Sequence, residues 1–559
     1  MSSSNDNTVS RRKWLGYAAA ASIAPGLMGL RSAEAQTPAA GNDQTAGART
    51  YNVRDFGAKG DGKALDTAAF QKAIDTCNRE MGGTVLVPAG NYIIGTVQLK
   101  SNVRLHLAAS AQITGSADGK QYYAADAIPL RGDSTLGDGN VGLIFAVEAE
   151  NITIDGNGTI DGQGEQFRSP ERGVPPPSGR GGAQRPYHLL FYRCKNLAVR
   201  DIFLKASAFH SIRVIQSSYT KFEGLRIYNR VNHNNDGFHF ISCEYVHVDN
   251  CDVQSQDDAC ALFGSCRWVS VTNSTFSTRW SVFRFGGGIA ENIVVSNCVI
   301  NETYGCPIKM RCGPGSRFEN MIFSNIVMRN VTGPISISIG PGYRRQGSPE
   351  SEEKLEPGIV RNITFSGIHG TVVVPEPLPD VTFVSRYNPG EIKSCIGLNA
   401  VEGTLERITL NDVHLVFPGG GTAEEAAVRD VPKTVGEYYA AGVFPSYALF
   451  ARNVRALSLQ NVRFEVAAAE ARPAIVFDHV TDASLNGLSV QGTKEEESAL
   501  RFIGCHDVFL SSVRLLTPTA TFLEAEGADS AAILIDGGDL SKASKTVSGP
   551  SAKAVKLRT

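Results

Sequence analysis

The chain has almost no net charge: 54 Lys and Arg against 56 Asp and Glu leave a formal charge of -2 at pH 7. Without a basic field there is nothing to draw in a nucleic acid, so that class of partner is set aside. A long apolar run is also missing. The most apolar stretch, YAAAASIAPGLMGL at residues 17–30, is too short to stay in a bilayer as a permanent helix. Charged residues are scarce at 20%, yet there are 57 glycines, the composition of a turn-rich β protein and not of a disordered chain. Nor is a disulfide framework evident, because the 11 cysteines are odd in number and the chain of 559 residues is not small.

What the N-terminus does contain is an address. SRRKWLG at Ser10–Gly16 carries paired arginines, the apolar run follows, and AEA at Ala33–Ala35 has the small residues of a cleavage site. The order of these parts reads as a twin-arginine export signal over 1–35, with a linker over 36–49. A soluble, periplasmic or extracellular protein is expected, acting as a monomer.

From there a repeat takes over. Its template alternates apolar and other residues around a small polar position, as in NLAVRDIFL (from Asn196), YVHVDNCDV (Tyr245), WVSVTNSTF (Trp268), NIVVSNCVI (Asn292) and NMIFSNIVM (Asn320). Later copies begin at Asn362, Arg407, Ala456 and Asp507. The spacing is about 23 to 28 residues in the middle and wider where loops intervene, a solenoid period. Alternation means strands with one buried face, and Asn250, Asn273, Asn297, Asn325 and Asn461 recur at one template position, where a coil corner needs the left-handed bend that Asn tolerates. Cys194, Cys243, Cys266 and Cys505 each stand two residues before a repeat and are expected to stack as small buried hydrophobes.

The expected fold is therefore all-β, a single-domain right-handed parallel β-helix, the hand following the crossover rule. Residues 50–115 read as an N-terminal cap with the first coils, 116–545 as the β-helix proper and 546–559 as a tail. A helix after Asp66, its expected N-cap, turns Ala69, Phe70, Ala73 and Ile74 to one face and would cover the open edge of the first coil. Three insertions interrupt the coils: an Arg-rich loop at 162–186, a second at 340–358 with Arg344 and Arg345, and a third at 417–447 with Tyr438, Tyr439 and Phe444. Loops of this length are expected to wall a cleft.

The stretch NNDGFHFISCEYVHVDNCDVQSQDDACALFG, Asn234–Gly264, holds Asp236 and, one repeat later, Asp257 and Asp258. Counting back from each repeat start places His210, Asp236, Asp258, Arg284 and Lys309 with Arg311 on five successive coils, as one polar stripe. Two carboxylates of unequal acidity can cleave a glycosidic bond, one donating to the leaving oxygen and another activating water or attacking. A lone Asp pair is more often a turn element; the register with cations favours a site.

At these residues the chain resembles the polygalacturonase-type glycoside hydrolases of family 28. NVRDFGAKGDGKALDTAAFQKAIDTC, RPYHLLFYRCKNLAVRDI, NNDGF, QDDA and IKMR fall in that family's order. The resemblance implies a right-handed β-helix that hydrolyses pectic polysaccharides with inversion and without metal or other cofactor. Asn234 and Asp236 match the first motif, with Asn235 in place of Thr, and Asp257 and Asp258 match the second. Asp258 would then be the general acid, with Asp236 and Asp257 activating water. Of the Arg-Ile-Lys motif only Ile308 and Lys309 match, and Arg311 would supply the missing cation for Pro307. The Gly-His-Gly motif is absent; its region reads STRWSVFRFGGG with Arg284. Asn234, His210, Arg284, Lys309, Arg311, Arg344 and Tyr439 are the expected substrate-binding residues, and the aromatic third loop would favour attack from a chain end. The Arg-rich first loop would hold uronates through forked hydrogen bonds. Two other readings stay open: a lyase using Ca²⁺ on the Asp cluster with Arg284 or Lys309 as base, and a non-catalytic carbohydrate-binding β-helix.

Overall fold

The computed structural model describes residues 47–123, 141–168, 185–341, 355–374, 393–437, 439–492 and 498–558. Their strands form two long parallel sheets, one of 26 strands and one of 15, and in the smaller sheet each strand lies between those of the preceding and following coils. The architecture is a right-handed parallel β-helix.

The period-two alternation builds the interior directly. Val246, Val269, Ile293, Met321, Ile363, Ile408, Leu457, Ala483, Val508 and Ile533 stand in register on ten successive coils, and all are buried. Each coil thus covers the apolar face of the one before it, which none could bury alone.

Corners follow the expected logic. Asn250, Asn273, Asn297, Asn325 and Asn461 all have left-handed backbones, with φ between 49° and 55°. Asn297 Nδ2 donates to Asn273 Oδ1 at 3.3 Å and Asn325 Nδ2 to Asn297 Oδ1 at 3.2 Å. The first template position forms a second ladder: Asn196 donates to Asn151, Asn320 to Asn292 and Asn362 to Asn320. The cysteines are all free and buried.

The helix Thr67–Arg79 buries Ala69, Phe70, Ala73, Ile74 and Cys77, and Phe70 meets Tyr92 edge-on at 5.5 Å. Asp66 does occupy the N-cap position, but its side chain makes no cap bond. It accepts instead from the backbone N–H groups of Lys59 and Gly60, because the Gly/Asp turn offers it donors first. At the other end the chain does not trail off after residue 545. Ala543–Ser548 and Val555–Arg558 pair with Thr519–Glu526 and Ala531–Asp539, so the segment read as a tail supplies the last strands; its polar sequence hid them because no residue of either strand is buried.

Candidate active site

Five neighbouring strands of the smaller sheet carry the site: Ile212–Ile215, Phe238–Ile241, Cys260–Phe263, Ser281–Gly286 and Cys306–Cys312. Ile212, Phe238 and Cys260 are in register, so the residues two before them, His210, Asp236 and Asp258, share one track, which runs on through Ser281 and Cys306. The cations do not extend that track as expected. Arg284 and Lys309 stack on a second one, three residues further along, with Arg213, His239 and Ala261. Arg311 lies two residues beyond Lys309, in register with Gly286. Counting back from the next repeat merged the two tracks because the intervening turns differ in length. The result is a face, not a line, with acids on one side and cations beside them.

Asp236 is held by imidazoles. His239 Nδ1 lies 2.8 Å and His210 Nε2 3.7 Å from its Oδ2, and both rings are buried. Burial first, then His239 beside His210 and Arg213 beside His239, keeps both histidines neutral, well below the ordinary range. Asp257 accepts twice: from the Asp258 N–H at 2.9 Å and from Asn234 Nδ2 at 3.2 Å. Burial and the adjacent Asp258 push the Asp257 carboxyl up to about 7. Burial also raises Asp258, against the pull of Lys309 and Arg284. Asp258 Oδ1 is buried and has no hydrogen-bond partner among the described residues.

Asn235, which stands in the place of the family's Thr, turns inward. It accepts from the N–H groups of Val231 and Asn232 and donates to the carbonyls of Ser207 and Phe209, so it fixes the turn that presents Asn234 and Asp236.

The third loop reaches this face. Glu437 accepts from Lys309 Nζ at 2.6 Å and from Arg311 Nη1 at 3.3 Å. Burial works to raise the Glu437 carboxyl, but Lys309, Arg284 and Arg311 outweigh it and hold it at about 2. Tyr439 meets Trp280 edge-on at 6.4 Å and packs on Cys306, while Lys309 Nζ lies 5.0 Å over the Trp280 ring. Arg284 stacks on Phe263 at 5.4 Å and donates to the Phe285 carbonyl. The loop is tied down from the C-terminal coils: Arg452 donates to the Val431 carbonyl, Arg501 to that of Ala426, and Arg429 pairs with Glu526.

Sequence reasoning missed Arg185, Trp280 and Glu437. Arg185 Nη2 donates to Asn234 Oδ1 at 3.2 Å and its guanidinium stacks 4.2 Å over Phe209; it sits at the end of the Arg-rich loop, whose composition was the available signal. Glu437 is joined to its cations across more than a hundred residues, and no local pattern marks it. Arg344, Arg345, Tyr438 and residues 169–184 lie outside the described residues.

Among the described residues the set of donors close enough for one metal ion is His210, Asp236 and His239. The two imidazoles are stacked 4.4 Å apart at 14°, so their in-plane lone pairs run side by side and do not converge. Two nitrogens and one carboxylate are also a poor match to the oxygen shell that calcium takes.

Known proteins resemble this chain. Residues 77–378, more than half of the chain, match the family model described as glycosyl hydrolases family 28. A polygalacturonase of Persea americana is 27% identical over 354 residues, which is 59% of this chain and 70% of that one. Polygalacturonase-2 of Solanum lycopersicum is 25% identical over 385 residues, covering 66% and 79%. A family 28 exopolygalacturonase structure from Yersinia enterocolitica superposes with a TM-score of 0.59 at 21% identity and 79% coverage of each chain, a likeness of fold. The match spans the coils that carry Asp236, Asp257, Asp258 and Lys309, and the chain belongs to glycosyl hydrolase family 28.

Proposed function

We propose that this family 28 hydrolase acts on a pectic glycan, of galacturonan or rhamnogalacturonan type, by general acid and base catalysis from Asp258, Asp236 and Asp257. The observation that carries the reading is the Asp257–Asp258 pair, Asp258 buried and Asp257 half-buried, one coil from Asp236. Two adjacent carboxyls largely withdrawn from water cannot both ionise easily near neutral pH, so the pair keeps one proton. The N–H donors on Asp257 favour its carboxylate form, which leaves the proton on Asp258. Asp258 gives that proton to the glycosidic oxygen as its bond to the anomeric carbon breaks. Asp236 and Asp257 take a proton from water as the new C–O bond forms on the opposite side, so the anomeric centre inverts.

The third loop stands across the coils beyond Lys309 and supports cleavage from a chain end. The paired arginines and cleavage-site residues at the N-terminus support export before action, with the mature chain working as a soluble monomer.

The test is the purified chain beside Asp258→Asn on pectic polysaccharides, with and without chelator, reading reducing ends and ultraviolet absorbance together. Metal-independent release of reducing ends, lost in the variant, is expected. Chelator-sensitive absorbance from an unsaturated product would mean a lyase. Glycan binding that is unchanged in Asp258→Asn, with no turnover in either protein, would mean a binding module.

A further inference from the structure

The cations of this site are not all available to a substrate. Lys309 is 1% exposed and its ammonium rests on the Glu437 carboxylate at 2.6 Å, with Arg311 sharing the same group. A uronate arriving at that rung would bring its own carboxylate against one already seated there. It would have to displace a charge-assisted pair that is largely out of water, or face it as a like charge. Over the next two coils the positions in register with Lys309 and Arg311 carry no charge. Ser336 and Gly397 follow Lys309 in register, while Ser338 and Asn399 follow Arg311. Val435, Gly436 and Phe444 of the loop lie over this part of the sheet, with Val435 against Gly340 and Phe444 against Gly397.

We infer that the sugar unit abutting the third loop is uncharged, and that Glu437 is the specificity residue that excludes a uronate there. The inference rests on the hydrolase reading and narrows it: the preferred glycan carries a neutral sugar, or an esterified uronate, at the unit that meets Lys309 and Arg311. Hydroxyl groups can bond to the Glu437 carboxylate as acceptor and to the remaining ammonium and guanidinium donors, without displacing the pair. The chemistry of cleavage stays with the aspartates; Glu437 acts on which unit settles beside them.

Binding separates this inference from the hydrolase reading, because it needs no turnover. Oligogalacturonides would be compared with the same oligomers bearing a methyl ester on one terminal unit only, at either end. Affinities would be measured by calorimetry on Asp258→Asn and on Asp258→Asn combined with Glu437→Gln. The parent variant is expected to favour one of the two esterified oligomers by about tenfold over the fully charged one. Glu437→Gln should reverse this, gaining about tenfold for the charged oligomer, since it leaves Lys309 without its carboxylate. Glu437→Asp, which keeps the charge, should keep the preference for the ester. Equal affinity for charged and esterified oligomers, a ratio unchanged by Glu437→Gln, or no binding of any oligomer would overturn the inference. Cleavage by the parent chain reports on the hydrolase reading separately.

Discussion

Asp257 and Glu437 are both half-buried carboxyls, yet their surroundings drive them in opposite directions. The Asp257–Asp258 pair, both carboxyls raised by burial and Asp257 to about 7, keeps one proton, held on Asp258, that the unfolded chain has already released. Its contribution to stability is therefore full below about pH 4 and is lost as the pH rises through 7. Glu437, held at about 2 against an ordinary 4.5, contributes above about pH 4.5 and loses that contribution as the pH falls towards 2. Asp257→Asn should flatten the decline in unfolding free energy between about pH 4 and 7, measured by denaturant titration. The same proton gives the rate profile its upper limb. Turnover should fall as the pH rises through about 7 in the parent chain, and at lower pH in Asp257→Asn, because Asp258 then loses its like-charged neighbour. Asp236→Asn and Asp258→Asn should each lower kcat by about a thousandfold or more, with melting temperatures near that of the parent.

At the scale of the coil, the corner asparagines carry a prediction of their own. Asn325 is left-handed at φ 54° and donates up the ladder to Asn297. Asn325→Ala should cost about 1 to 2 kcal/mol, since it loses the bond and meets the steric penalty of that backbone. Asn325→Gly should recover part of the loss, and Asn325→Val should do worst; denaturant midpoints would rank the three. These corners were legible in the sequence because Asn repeats at a fixed template position, and the interior stack from Val246 to Ile533 was legible because alternation has only one buried side. The three aspartates were legible as a cluster for the same reason. The placement of Arg284 and Lys309 was not, because register through turns of unequal length depends on strand pairing and not on counting. Asp66 shows a smaller version of this limit: its position was readable, but which nearby N–H groups its carboxylate would take was a matter of the turn beside it.

For the whole molecule, the capping helix and the third loop do work that no single coil can do. Phe70→Ala would open a cavity between the helix and the first coils, where Phe70 is fully buried against Tyr92. A loss of about 3 to 5 kcal/mol is expected in unfolding experiments. The loop is anchored elsewhere. Arg501, fully buried, joins Glu524 and Glu526 to the Ala426 carbonyl. Arg501→Met should loosen the loop, raising KM and weakening discrimination between charged and esterified ends, while the pH profile of kcat keeps its shape. Glu437 escaped the sequence reading for the same structural reason, since its partners Lys309 and Arg311 stand on coils long before it and the coils that hold its loop come after it.

The region that matches the family ends at residue 378, before the loop that carries Glu437 begins and before the coils that brace it. On the proposed reading, the cutting aspartates and the cations Lys309 and Arg311 lie inside that region, and the carboxylate that tunes them lies beyond it. A transplanted loop would bring its selectivity along only if the coils that hold it from behind came too.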